Sequence, residues 1–143
     1  MKIISFNANG IRSAASKGFF DWLAAQDADV TCIQETKAQE AQGSDPGCRP
    51  DRHHCFYRDA VTKKGYSGVA LYSKIEPLKV IYGMGIPEFD DEGRLIGAEY
   101  EDFWLLNVYF PNGGQGPHRL DYKLRFYDAF LTFSEKLRKQ KPV

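Results

Sequence analysis

The stretches IISFN (residues 3–7) and VTCIQE (residues 30–35) are two short apolar runs, and each ends in an oxygen-bearing side chain. Between them, the aromatic and aliphatic residues at positions 19–24 predict a helix. A strand, a helix and a second strand in this order predict a βαβ unit, whose two strands lie parallel in one sheet. Asn7 and Glu35 should therefore emerge together at the carboxyl edge of that sheet, where open α/β sheets bind their ligands.

The two side chains at this edge suggest a chemistry. One carboxylate and one amide oxygen, with no histidine or cysteine beside them, suit a hard cation such as Mg²⁺. Glu35 and Asn7 alone should hold Mg²⁺ only weakly, because a dedicated site needs more oxygen ligands.

Composition limits the classes of protein that the chain can represent. Its 143 residues correspond to about one domain, 43% of them are hydrophobic, and the formal net charge is zero. A nucleic-acid partner would therefore have to be held by a local basic patch. No apolar run approaches the roughly 18 residues of a membrane span. Residues 1–6 are too short for a signal-peptide core, so we predict a cytoplasmic protein with no membrane partner.

Cys48, His53, His54 and Cys55 raise the alternative of a zinc site. Their spacing lacks the two short-spaced ligand pairs that zinc sites use. In a strand, the two neighbouring histidines also point to opposite faces. We therefore interpret this stretch as a surface loop followed by a strand, and we expect the cysteines to be reduced.

The middle of the chain contains a loop and several strand patterns. Residues 38–53 are polar, carry two glycines and two prolines, and predict a loop with at most one irregular turn. Turn residues at 101–102 indicate that the last two strands form a hairpin. The predicted strands are 54–58, 67–73, 78–82, 94–100 and 103–109.

A long helix is predicted from about residue 119 to residue 139. Its predicted buried stripe consists of Leu120, Leu124, Tyr127, Leu131 and Leu137, widened by Phe126, Phe130 and Phe133. Residues 139–143 are typical of a helix exit followed by the start of another strand. We therefore interpret the chain as part of a longer one.

Four short motifs occur in order along the chain: SFNxNGIR (5–12), QETK (34–37), GYSGVA (65–70) and NxYxPN (107–112). Together they resemble the exonuclease III type of abasic-site endonuclease, in the endonuclease/exonuclease/phosphatase superfamily. The resemblance implies a DNase I-like α/β fold, a four-layer sandwich of two packed sheets. Residues 1–143 would form the N-terminal part of this single domain, about half of it, with one mixed sheet and flanking helices.

The resemblance implies a DNA-repair nuclease that hydrolyses the phosphodiester 5′ to an abasic site, with related 3′-5′ exodeoxyribonuclease activity. It implies a Mg²⁺ or Mn²⁺ ion held by Glu35. Asn7 would lie on the metal side and orient Glu35 or a metal-bound water, or hold the catalytic His and Asp system. Tyr109 would donate to a phosphate oxygen, or act as a phenolate if nearby cations lowered its pKa. The partner would be double-stranded DNA containing abasic sites, and the complete enzyme would be a monomer.

The same resemblance implies contacts to the DNA on both sides of the lesion. In some relatives a basic residue stands where this chain has Gln115, so the glutamine could weaken retention of DNA. The predicted contact residues are Arg12, Lys17, Lys37, Tyr66, Arg94, Asn112, Gly113, Gln115 and Arg119, with Lys63 and Lys64 beside them.

Two further family motifs, DxN and SDH, do not occur in the sequence. In the family, the second of these supplies a metal-side aspartate and the general-base histidine, so we predict little or no nuclease activity for residues 1–143 alone. One alternative is a superfamily phosphodiesterase with another substrate, such as a lipid, although extra membrane-facing apolar loops are not found. Another alternative is a fragment that binds DNA without catalysis.

Overall fold

The computed structural model describes residues 1–43 and 45–143; Ser44, in the predicted loop 38–53, lies outside the described residues. The strands are β1 (Ile3–Asn7), β2 (Val30–Gln34), β3 (His54–Arg58), β4 (Val69–Ser73), β5 (Lys79–Tyr82), β6 (Leu95–Glu99) and β7 (Trp104–Val108). The helices are α1 (Ile11–Ser16), α2 (Phe19–Gln26), α3 (Glu40–Gly43), α4 (Pro87–Asp90) and α5 (Pro117–Arg138), and a 3-10 turn covers Pro46–Cys48.

The predicted βαβ unit is present. β1 and β2 pair in parallel, from Ile3 opposite Val30 to Asn7 opposite Gln34. β4 pairs antiparallel with both β2 and β3, so the four strands form a mixed sheet in the order β1-β2-β4-β3. The predicted mixed sheet is therefore confirmed, and it places the ends of β1 and β2 side by side.

The expectation of one sheet in this chain was wrong. β5, β6 and β7 form a separate antiparallel sheet of three strands, which contains the predicted hairpin of β6 and β7. The carbonyl group of Pro142 also accepts a hydrogen bond from the backbone of Trp104, at 2.7 Å, on this second sheet. The chain therefore contributes strands to both halves of a sandwich.

The core lies in layers because successive strand residues face opposite sides of a sheet. Ile33 and Tyr72 pack under α1 and α2 on the outer face of the mixed sheet. Cys32 and Leu71 face the second sheet and contact Ile96 there. A third cluster packs α4 and α5 around β7, and its buried members are Phe89, Tyr122 and Phe126.

One polar side chain joins the two sheets through their apolar interface. Asn107 of β7 is 1% exposed. Its Nδ2 donates to the carbonyl oxygens of Ile33 (3.1 Å) and Ala70 (2.7 Å), and its Oδ1 accepts from Nε2 of Gln34 (2.9 Å). The amide of Asn107 therefore uses both of its donors and one of its two acceptor positions. Because these three bonds link β7 to β2 and β4, they fix the register of β7 against both strands.

The buried face of α5 matches the predicted one only in part. Phe126 and Leu137 of the predicted stripe are buried, and Phe130 and Phe133 are half-buried. The ring of Phe126 meets that of Phe89 edge-on at 5.4 Å, and such aromatic contacts turn this side of the helix toward the second sheet. The exposed members of the predicted stripe are Leu120, Leu124, Tyr127 and Leu131.

Three short helices were not predicted. α1 and α4 were missed, and α3 lies with the 3-10 turn inside the predicted loop 38–53. Helices of four to six residues carry too few turns for hydrophobic periodicity to be visible. In the described part of the chain, no helix combines the length and apolar character that a membrane crossing requires.

We predict that Asn107→Ala lowers the free energy of unfolding by about 3 kcal/mol, because two buried carbonyl groups and Gln34 lose their partner. Urea unfolding followed by circular dichroism measures this change. Asn112→Ala is the matched control at an exposed asparagine, with an expected loss of about 0.5 kcal/mol. Equal losses for the two variants would contradict the role given to Asn107.

Candidate active site

Three predicted site residues meet where the strands of the two sheets end. Asn7 ends β1, Glu35 follows β2, and Tyr109 follows β7. Nδ2 of Asn7 donates to Oε1 of Glu35 at 3.1 Å, and the Tyr109 hydroxyl faces the same carboxylate closely enough to lower its pKa. The structure therefore brings the predicted amide, carboxylate and phenol into one hydrogen-bonded group.

The backbone around this group is held in a rarely populated conformation. Positive φ angles occur at the non-glycine residues Asn9 (44°), Glu35 (54°), Lys37 (49°) and Ser67 (52°). Hydrogen bonds between the loops hold it there, including Gly10 N–H to the Glu35 carbonyl (2.8 Å) and Lys37 N–H to the Ser67 carbonyl (2.9 Å). Strain of this kind is typical of functional sites and persists only when the surroundings enforce it.

The Glu35 carboxylate is ionised and well supplied with donors. Burial alone would raise its pKa, but hydrogen bonds from Tyr109, Asn7 and Lys37 outweigh burial and lower the pKa below its ordinary value. The Lys37 ammonium lies 3.4 Å from Oε2, and the Glu35 side chain is 18% exposed. Glu35 is therefore an anion that remains accessible from the solvent.

The electrostatic surroundings of Tyr109 decide between its two predicted forms. Burial, the hydrogen bond to Glu35 and the charge of Glu35 raise the pKa of the Tyr109 hydroxyl to about 12, and the Arg94 cation offsets only part of this. The neutral phenol is therefore the favoured form while Glu35 carries no cation. The phenolate form stays a prediction.

The donor set fits a hard cation that keeps most of its own water. Mg²⁺ is commonly held by one or two carboxylates together with substrate phosphates, and Glu35 supplies one such carboxylate. The Asn7 oxygen accepts the N–H of Asn9 at 3.0 Å, so Asn7 orients Glu35 in this arrangement. Direct ligation by Asn7 stays a prediction. Among residues 1–43 and 45–143, no three His, Cys, Asp or Glu side chains group as metal ligands.

Cationic side chains lie beside this group. Nζ of Lys37 donates to Oδ1 of Asn9 at 2.6 Å as well as pairing with Glu35. Arg12 and Lys17 are exposed on and just after α1, whose first residue, Ile11, donates its N–H to the Thr36 carbonyl at 2.8 Å. These three cations are open to solvent on the side of the molecule where the loops after β1 and β2 meet.

Arg94 does not lie where a phosphate contact requires it. It is 2% exposed. Its guanidinium donates to the Tyr109 carbonyl (3.2 Å) and to the Tyr66 hydroxyl (2.8 Å), and its Nε lies 3.4 Å from Glu92. Burial among protein partners argues against the predicted DNA contact of Arg94, and its role must be exerted through its neighbours.

Arg119 and Tyr66 form a polar cluster with Arg94 and Glu92. Arg119, in the first turn of α5, donates to Glu92 (2.9 Å) and to the Tyr66 hydroxyl (3.2 Å). Its guanidinium also lies 4.2 Å from the Tyr122 ring centroid. The side chain of Arg119 is 22% exposed, so part of it faces solvent beside Tyr66.

The glycine-rich loop after β7 is largely open. Asn112 and Gln115 are exposed, and Gly113 is half-buried against Leu120 and Lys123 of α5. Oδ1 of Asn112 accepts the N–H of Gly114 at 2.8 Å, which shapes the loop locally. The loop stands next to Tyr109, and the DNA contacts of Asn112, Gly113 and Gln115 stay a prediction.

Several residues that build the site were not singled out from the sequence as site residues. Glu92 pairs with both arginines of the cluster, and the sequence showed it only as a turn residue. Asn9 holds Lys37, and Asn107 fixes the distance between the strands that carry Glu35 and Tyr109. Asn9 lies in the SFNxNGIR motif and Asn107 in the NxYxPN motif, and this membership was the sequence signal that could have identified them as site residues.

The fold is that of a DNase I-like α/β sandwich protein, and an amide, a carboxylate and a phenol meet at the edge of its sheets. A sequence profile of the Endonuclease/Exonuclease/phosphatase family matches residues 4–142, and the chain belongs to this family.

Curated relatives include DNA-repair nucleases. The chain is 44% identical to the exodeoxyribonuclease of Bacillus subtilis (strain 168) over 144 residues, which are 100% of this chain and 56% of the relative. It is 42% identical to the DNA repair nuclease APEX1 of Danio rerio over 144 residues, 100% of this chain and 46% of that protein. The chain thus spans about half the length of the curated relatives it matches.

Solved structures show the same fold. The catalytic domain of Xenopus laevis APE2 superimposes with a TM-score of 0.86 at 28% identity, covering 98% of this chain and 55% of that one. The 3′ phosphatase NExo from Neisseria, bound to a product DNA hairpin, gives a TM-score of 0.83 at 25% identity, covering 99% and 54%.

We predict that Gly68→Ala lowers the free energy of unfolding by about 3 kcal/mol. Its φ is 87°, and a Cβ there would stand 2.1 Å from Oγ1 of Thr36, beside the Lys37 backbone. Gly65→Ala is the matched control, with φ 70° and nothing within 4 Å, and should cost about 1 kcal/mol. Thermal or urea unfolding measures both, and a control as costly as Gly68→Ala would rule out the clash.

A second prediction concerns pH. The lowered pKa of Glu35 means that the unfolded chain binds the proton more readily. This contribution to stability is present above the ordinary glutamate pKa of 4.5 and is lost as pH falls through the lower folded pKa. Glu35→Gln should therefore flatten the loss of stability between about pH 5 and pH 3. Urea midpoints across this range measure it, with exposed Glu101→Gln as control. An unchanged slope in Glu35→Gln would contradict the prediction.

Proposed function

We propose that this chain is the N-terminal part of a metal-dependent DNA-repair nuclease that hydrolyses the phosphodiester 5′ to an abasic site. A related 3′-5′ exodeoxyribonuclease activity belongs to the same proposal. The convergence of Asn7, Glu35 and Tyr109 at one edge, in a member of this family, is the observation that carries it. DNA is proposed as the substrate because the relatives are an exodeoxyribonuclease and a DNA repair nuclease.

The residues of the site divide the work of phosphodiester hydrolysis. Glu35 would hold Mg²⁺ or Mn²⁺, which when bound supplies positive charge to the scissile phosphate and the leaving oxygen. Asn7 keeps the Glu35 carboxylate in place through its amide nitrogen. Tyr109, a neutral phenol, donates a hydrogen bond to a non-bridging phosphate oxygen and stabilises charge as it develops there.

DNA is held outside the reacting group by cations rather than by overall charge. The formal net charge is zero, so attraction to phosphates depends on where the cations lie. Arg12 and Lys17 are exposed to solvent on and just after α1, and Lys37 lies 3.4 Å from the Glu35 carboxylate. The exposed Asn112 and the backbone of Gly113 add neutral donors on the Tyr109 side.

The remaining catalytic groups are proposed to lie in the half of the family domain that this chain does not span. A general base and a second metal-side carboxylate are needed for activation of water, and one carboxylate with one amide binds Mg²⁺ weakly. Residues 1–143 alone should therefore show little or no cleavage.

The test joins residues 1–143 to the C-terminal part of the Bacillus subtilis relative, which is 44% identical over the shared length. The chimera should nick a duplex with one abasic-site analogue in Mg²⁺, and residues 1–143 alone should not. Glu35→Gln and Tyr109→Phe in the chimera should each lower the rate by about 100-fold, the usual effect of losing one transition-state contact. Gel assays of labelled DNA measure the rates.

The control variant in the chimera is Glu101→Gln, at an exposed turn residue, which should leave the rate unchanged. Cleavage by the folded chimera that survives Glu35→Gln at full rate would contradict the assignment of the site. Rapid cleavage by residues 1–143 alone, lost in Glu35→Ala, would contradict the division of catalytic groups.

DNA binding without catalysis is the second candidate for this particular chain. Glu35 is one carboxylate and would hold a metal only weakly, whereas the exposed cations bind phosphate without any metal. This contrast favours the second candidate. Binding of abasic-site DNA by residues 1–143 in EDTA, with no nicking by either protein, would support it over the nuclease.

A further inference from the structure

Arg94 is a buried cation surrounded by tyrosine rings. It is 2% exposed, and its guanidinium carbon lies 5.6, 5.1 and 6.0 Å from the ring centroids of Tyr66, Tyr109 and Tyr122. A buried charge is costly unless hydrogen bonds and opposite charge compensate it. Glu92 supplies the opposite charge at 3.4 Å, and the tyrosines supply oxygen atoms and ring faces.

The main chain of Tyr109 is bonded to Arg94 twice. The N–H of Tyr109 donates to the Arg94 carbonyl at 2.8 Å, and Nη1 of Arg94 donates to the Tyr109 carbonyl at 3.2 Å. The guanidinium also faces the Tyr109 ring. Movement of Arg94 would therefore displace the residue whose hydroxyl reaches Glu35.

The hydroxyl of Tyr66 is fixed by the same side chain. It accepts hydrogen bonds from Nη2 of Arg94 at 2.8 Å and from Nη2 of Arg119 at 3.2 Å. A phenol oxygen has two acceptor positions and one proton, so both acceptor positions are filled by cations. The proton of Tyr66 is then directed away from the two arginines, toward an outside acceptor.

We propose that Arg94 is a positioning residue, which holds the hydroxyl groups of Tyr66 and Tyr109 as donors to the phosphates of a DNA strand. This inference rests on the proposed function for its ligand, and the arrangement of the three side chains stands without it. Glu92 and Arg119 complete the unit by neutralising Arg94 and by filling the second acceptor position of Tyr66.

The geometry favours the planar arginine over any other cation. Arg94 reaches three partners at once, the carboxylate of Glu92, the hydroxyl of Tyr66 and the carbonyl of Tyr109, and its flat group stacks against rings. A lysine ammonium on a flexible stem cannot hold these directions together. Arg94→Lys keeps the positive charge but loses the directed hydrogen bonds, so this variant tests whether the bonds themselves are required.

The first measurement uses the free 143-residue chain. Fluorotyrosine gives one ¹⁹F signal for each of the eight tyrosines, and Tyr→Phe variants assign them. Tyr66→Phe should shift the Tyr109 signal, because the two residues are linked through Arg94. The same change should leave that signal unmoved in Arg94→Lys. A Tyr109 signal that ignores Tyr66→Phe in the unchanged chain overturns the proposal.

The second measurement is the affinity for a duplex with one abasic-site analogue, by fluorescence anisotropy in EDTA. Arg94→Lys and Arg94→Met should both weaken binding by about tenfold, and Tyr66→Phe by about fivefold. Tyr66→Phe added to Arg94→Lys should weaken binding by less than about a further twofold, because both act through one hydroxyl. Wild-type affinity in Arg94→Lys, or fully multiplicative losses, would overturn the proposal.

The salt dependence identifies direct phosphate contacts. Loss of one such contact lowers the slope of log affinity against log salt by about 0.9. Arg94→Met should leave the slope unchanged, whereas a slope reduced by that amount would make Arg94 a direct contact and overturn the proposal. Arg125→Lys is the matched control, since Arg125 also pairs with acids and faces Tyr122, and it should change neither affinity nor the Tyr109 signal.

Failure of the proposed function gives a different result. If the chain binds no DNA under any condition, the DNA substrate is rejected and the ¹⁹F measurement alone tests the role of Arg94. A Tyr109 signal that is coupled to Tyr66 through Arg94 then supports the positioning unit. If DNA binds but the tyrosines are uncoupled, the DNA substrate is supported and the role of Arg94 is rejected.

Discussion

The side-chain amide of Asn107 is the contact on which the rest of the structure depends. It stands on β7 and satisfies backbone carbonyl groups of β2 and β4, which belong to the other sheet. Apolar packing between two sheets is not directional and tolerates sliding, whereas these hydrogen bonds are satisfied in only one register. Because Glu35 follows β2 and Tyr109 follows β7, the same amide fixes the separation of the carboxylate and the phenol.

A rigid frame also explains how the loops of the site hold an unfavourable backbone. Glu35 and Lys37 both have positive φ, and the bonds that enforce these angles come from the neighbouring loops rather than from their own. Gly68 allows the closest of these approaches, since a side chain there would collide with Thr36. The positive φ of Glu35 ends the extended path of β2 at the residue whose carboxylate meets Asn7 and Lys37.

The sequence predicted those parts of the molecule that depend on local pattern. The pairing of β1 with β2, the hairpin of β6 and β7 and the meeting of Asn7 with Glu35 all follow from apolar runs and their ends. The burial of Arg94 could not be predicted, because Glu92 beside it resembled a turn residue and Tyr66 and Tyr109 lie far along the chain. The buried face of α5 was predicted only in part, because leucine spacing predicts a stripe whereas the packing partners decide which residues are buried.

Hydrogen-bonding capacity links the two charged neighbours of Tyr109. A phenol donates one hydrogen bond, and in the free chain Tyr109 gives it to Glu35 while Arg94 holds its backbone. Donation to a phosphate oxygen requires that the Tyr109 hydroxyl turn away from Glu35, and the Glu35 carboxylate then needs another hydrogen-bond donor or a cation. Lys37, already 3.4 Å away, supplies part of it. The pairing of Tyr109 with Glu35 therefore couples the occupancy of the carboxylate to the availability of the phenol for substrate, whereas Arg94 keeps the residue in place in both states.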